Sequence, residues 1–102
     1  MHTRVDLHNA LVSFLGSRNV YFQPPSNVKM QYPCIIYDFA NPDIRYANNF
    51  IYAHTKCYQV TIVDQNKDSE LPDKFLRYLP YIKPSRTYPA DGLWHFVYTL
   101  FY

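Results

Sequence analysis

Residues 57–64, CYQVTIVD, alternate between Tyr58, Val60 and Ile62 on one side and Cys57, Gln59, Thr61 and Val63 on the other, the period-two pattern of a half-buried strand. The C-terminal run LWHFVYTLFY repeats it, with Trp94, Phe96, Tyr98 and Leu100 on one face and His95, Val97, Thr99 and Phe101 on the other. In YPCIIYDFA the apolar positions are nearly consecutive (Cys34, Ile35, Ile36, Tyr37, Phe39), which predicts a strand opened by Pro33 and buried on both faces. VYFQ is a short strand closed by Pro24-Pro25, since proline cannot sit in a central ladder.

Two segments carry helical spacing instead. Val5, Leu7, Leu11, Val12, Phe14 and Leu15 form a stripe behind Thr3 and Asp6, which resemble a capping box; Gly16 can end it, so a helix is predicted over Arg4–Leu15. The second helix starts at Ser69 with Glu70, Pro72 and Asp73 in its first turn, carries Leu71, Phe75, Leu76 and Leu79, and stops at Pro80. Between helix and last strand, YIKPSRTYPADG reads as a short strand or turn-rich connection whose Asp91-Gly92 suits a hairpin turn. NPDIRYANNFIYAH, ahead of the surest strand, reads as a long aromatic loop or hairpin. The order describes one α+β domain over residues 1–102: a mainly antiparallel β-sheet with two α-helices packed on one face, the other face being covered by something else or polar.

Composition narrows the function. Eleven tyrosines and seven phenylalanines are a large share for so short a chain; they fit a β-rich core, and some of them can also cover a partner. Ten Lys and Arg against eight Asp and Glu, with no basic block, lack the electrostatic footprint of a dedicated nucleic-acid binder. The N-terminal residues, with Asp6 and His8 inside their pattern, read as neither signal peptide nor membrane span, so assembly in the cytoplasm is expected.

Candidate chemistry thins out on inspection. Asp64, Asn66 and Asp68 fall at the first, third and fifth positions of a calcium loop, but Ser69 and Phe75 stand where such a loop needs Gly and Glu, so the run reads as a turn leading into a helix cap. Cys34 and Cys57 form no C-x-x-C pair and lie among apolar neighbours, which predicts buried, protonated thiols. His2, His8, His54 and His95 show no metal-binding spacing, and two glycines cannot build a phosphate loop. No catalytic residue, metal or cofactor is expected.

Three segments in order, YPCIIYDF, CYQVTIVDQNKDSELPDKFLRYLPY and TYPADGLWHFVYTLFY, resemble the tail terminator or tail-completion proteins of long-tailed bacteriophages. In that family a Tyr-Pro strand, a Tyr-x-Val-Thr strand leading to Asp-Ser at a helix start, and an Ala-Asp-x-Leu-x-His segment recur; Trp94 departs from the pattern. The resemblance implies a structural virion protein at the tail–neck junction. It forms a homo-oligomeric ring, commonly a hexamer, that ends tube polymerisation, contacts the tail tube protein and a neck or head-closure protein, and lets DNA pass without sequence-specific binding. Subunit contacts are expected at Arg45, Tyr46, Asn48, Asn49, Phe50 and Tyr52 in the aromatic loop and at Arg86, Tyr88 and Asp91 in the connection. The alternatives are a head-closure ring, a nucleic-acid module stacking bases on Tyr46, Phe50 and Tyr52, and a Cys–His hydrolase.

Overall fold

The structure is a computed structural model and describes residues 4–24, 29, 31–40, 57–79 and 81–102. The elements run α1 (Arg4–Leu15), β1 (Val20–Phe22), β2 (Cys34–Phe39), β3 (Cys57–Asp64), α2 (Leu71–Tyr78), β4 (Ile82–Ala90) and β5 (Leu93–Phe101). The five strands form one sheet in the order β1-β2-β3-β5-β4. β1 pairs with β2 in parallel and every other pair is antiparallel. This is the expected α+β architecture.

Register assigns the faces. Ile62 lies between Ile35 of β2 and Phe96 of β5, and Val60 between Tyr37 and Tyr98. These residues share a core with Leu7 and Leu11 of α1 and Phe75 of α2, so both helices cover the same side of the sheet. Each fully buried large side chain of this kind contributes about 1.5–3 kcal/mol from apolar area alone. Phe75 is the anchor of α2: its ring centroid lies 5.2 Å from Phe14 and 5.2 Å from Tyr98, tying helix, helix and sheet together.

Three details differ from the sequence expectation or sharpen it. The connection before the last strand is a nine-residue strand, β4, paired with β5 along its length except for a bulge between Pro84 and Arg86. Its prolines are admissible because it is the sheet edge, where one side of the backbone needs no ladder partner. The regular part of α2 opens at Leu71, two residues after Ser69, with Glu70 at the N-cap position (φ −81°, ψ −12°). Ser69 still acts on the helix start, its hydroxyl oxygen accepting from the Leu71 amide at 3.3 Å. Asp91 (φ 53°) and Gly92 (φ 75°) both adopt left-handed backbone, the requirement of a two-residue hairpin turn.

Candidate interaction surface

The side of the sheet away from α1 and α2 is built from the alternate residues of each strand. One cross-strand row runs Asp38, Gln59, Thr99, Lys83; the next runs Tyr21, Ile36, Thr61, Val97, Arg86; the third runs Cys34, Val63, His95, Tyr88. Polarity therefore falls along the strands, from an acid, an amide, a hydroxyl and an amine to a row of apolar and aromatic side chains. Cys34, Val63 and Val97 are buried here although, among the described residues, no helix or strand lies over them.

Of the residues expected to contact neighbours, Arg45, Tyr46, Asn48, Asn49, Phe50 and Tyr52 lie outside the described residues. Arg86 and Tyr88 sit on exposed β4, and Asp91 marks the hairpin tip beyond them. The Arg86 guanidinium carbon stands 5.3 Å from the centre of the Tyr88 ring. Tyr88 in turn stacks on His95 of β5, with centroids 4.8 Å apart and planes 5° from parallel. Arg86, Tyr88 and His95 thus form one stacked column, held by register: Tyr88 is directly opposite His95. Sequence reading missed His95 as a member, because its alternation with Val97 and Thr99 marks only which face it occupies. A column already stacked loses little side-chain freedom on meeting a partner, and Arg and Tyr are the residue types that concentrate interface energy.

The thiols lack the setting of a nucleophile. Burial pushes Cys34 up to about 11 and raises Cys57, so both are held as neutral thiols near pH 7. Cys34 shares a row with His95 but Val63 stands between them, a separation of roughly 10 Å over two strand spacings. In the run after β3, the side chains of Asp64 and Asn66 are engaged by the run's own backbone. Asp64 Oδ1 accepts from the Asn66 amide at 3.2 Å and Asn66 Oδ1 from the Asp68 amide at 3.0 Å, a pair of consecutive Asx turns. Among the described residues no group of three or more His, Cys, Asp and Glu side chains is placed to hold a metal.

A polar cluster on the helix-bearing side joins α1 to the sheet. Arg4 donates to the Tyr37 hydroxyl at 3.2 Å, and that hydroxyl lies 2.7 Å from His8 Nδ1. Arg4 can only donate, so Tyr37 satisfies both contacts by accepting from Arg4 and donating to a neutral His8. Burial, reinforced by the Arg4 charge, lowers the His8 pKa below its usual 6.5. The unfolded chain therefore binds this proton more readily than the folded one. The stability that neutral His8 contributes is present above the unfolded pKa and is lost as pH falls through 6.5 toward the lower folded value. The melting temperature is accordingly expected to drop between pH 7 and pH 5 more steeply in the native protein than in His8→Gln, as followed by circular dichroism. Parallel pH profiles would show that His8 is not coupled to folding.

No family model, curated protein or solved structure matches the chain.

Proposed function

We propose that this chain is a structural subunit of a tailed virus, assembling into a ring at the head-proximal end of the tail tube, where it ends tube growth and docks the tail to the neck. The observation that carries this reading is where the three segments of the terminator resemblance fall. They supply β2, β3 with α2, and the hairpin end of β4 from Thr87 onward with all of β5, which form one contiguous block of sheet with α2 anchored on it through Phe75 and Tyr98. Segments far apart in sequence thus form a single unit with its helices on one side. A further support is the allocation of residues. Aromatic and cationic side chains stand on exposed β4, while the thiols that a hydrolase would need are buried and protonated.

In such a ring the subunit acts by shape and contact. One surface covers the last turn of the tube so that no further tube subunit can add, and the opposite surface is offered to the neck. The test is a virus in which this gene is disrupted, with particles imaged by electron microscopy. Over-long tails detached from heads are expected, and supplying the chain in trans restores normal joined particles. Tails of normal length that fail to join heads would move the role to head closure. Normal tails joined to heads would refute both.

A further inference from the structure

β4 is the described strand least explained by this chain's own core. Every residue from Lys83 to Pro89 is exposed, including Pro84, Thr87 and Pro89, which lie on the helix-bearing side opposite the buried Tyr98 and Phe96 and the half-buried Trp94. The strand is held by its ladder to β5 and gains little by burial. Its outer edge is also unsuited to adding another strand, since Pro84 and Pro89 remove two donors and the bulge at Ser85 breaks the ladder's repeat. A partner of β4 must therefore meet its side chains.

Those side chains include Lys83, Arg86 and Tyr88, and residues 82–90 contain no acid. Next to Lys83, an open depression in the surface is lined by Pro84, Ser85, Thr99 and Phe101. The complementary charge is on the same chain at another place: residues 64–73 carry Asp64, Asp68, Glu70 and Asp73 against Lys67 alone. Lys74 engages Glu70 at 3.5 Å, and Asp68 and Asp73 are exposed beside that pair. The two surfaces are separate. Asp64 pairs with Trp94 at the hairpin end of the sheet, Lys83 pairs with Thr99 toward the other end, and α2 covers the face opposite to the one where Arg86 and Tyr88 project. One copy can therefore present both surfaces at once to two neighbours, the condition for a head-to-tail contact. A two-fold contact of β4 on β4 would bring together two strands that carry cations and no acid.

We infer that β4 docks side-chain first on the acidic start of α2 in a second copy of this chain. The inference rests on the ring reading above and names the surfaces that close the ring. The geometry allows a test by reciprocal charge reversal. Variant one is Lys83→Glu/Arg86→Glu; variant two is Asp68→Lys/Asp73→Lys. All four positions are exposed, and circular dichroism verifies that each variant is folded. Each variant alone places like charges at every contact and is expected to self-associate at least about tenfold more weakly than the native chain in low salt. An equimolar mixture places opposite charges at every contact and is expected to assemble as alternating copies, seen by analytical ultracentrifugation.

If either variant assembles alone as well as the native chain, the contact is elsewhere and the ring reading is untouched. If the native chain assembles but the mixture does not, the β4–α2 pairing is overturned. A native chain that stays monomeric at high concentration in low salt, with tails normal in the disrupted virus, overturns both. Should a reversed variant fail to fold, the neutral pair Lys83→Gln/Arg86→Gln serves in its place. It is expected to assemble more weakly than the native chain in low salt and equally in high salt, and equal assembly in both overturns the pairing.

Discussion

Ile62→Ala is expected to lower the free energy of unfolding by about 2–5 kcal/mol, the range for emptying a closely packed core site. Ile62 is fully buried at the middle of β3, with Ile35 and Phe96 as its cross-strand neighbours on the helix-covered side. Strands fixed on both sides and helices above leave the site little freedom to collapse into the space, which places the loss toward the upper part of the range. Gln59→Ala, an exposed position on the opposite face of the same strand, is the control and is expected to change stability by less than about 0.5 kcal/mol. Urea unfolding monitored by far-ultraviolet circular dichroism measures both. A loss well under 1 kcal/mol at Ile62 would mean that the helices cover the other face.

That contrast between neighbouring positions was legible in the sequence because β3 and β5 meet different environments on their two sides. Where one face packs under helices, the period-two alternation records it, and Tyr58, Val60, Ile62, Phe96, Tyr98 and Leu100 all lie in the core. The near-continuous apolar run of β2 also meant what it suggested, since Cys34 and Ile35 are both buried although they point to opposite faces. β4 was not legible as a long strand for the opposite reason. A strand exposed on both faces has no burial to write an alternation into its sequence, and its extended form is imposed by β5 through the ladder.

The candidate surface was legible only as composition. Arg86 and Tyr88 stood out as a cation and an aromatic in a polar connection, but their column with His95 depends on a hairpin register set by Asp91 and Gly92. The Arg4–Tyr37–His8 cluster was invisible because it joins a helix to a strand 29 and 33 residues away, and nothing local marks the partners. The aromatic segment bearing Tyr46, Phe50 and Tyr52 lies outside the described residues, so the candidate surface consists of β4 and the start of α2.

Phe75→Ala is expected to cost about 3–5 kcal/mol, the usual penalty for removing a buried phenylalanine. Phe75 is fully buried between Phe14 and Tyr98, whereas its neighbour Leu76 is 41% exposed, so Leu76→Ala should cost far less. A domain of this size holds about 5–15 kcal/mol in total, so the Phe75 variant sits near the edge of folding as a monomer. What it loses is the anchor of α2, and α2 begins with the acidic surface assigned to the neighbouring β4. Under the proposed contact docking and folding are linked, because an assembly that binds only the folded form draws the equilibrium toward it. The melting temperature of Phe75→Ala should therefore rise with protein concentration, by more in low salt than in high salt. The Arg86→Glu/Phe75→Ala double variant, which weakens the contact, should show a smaller rise. A melting temperature of Phe75→Ala that is low but independent of concentration would place α2 away from the subunit contact. An unchanged melting temperature would mean that α2 is not anchored through Phe75.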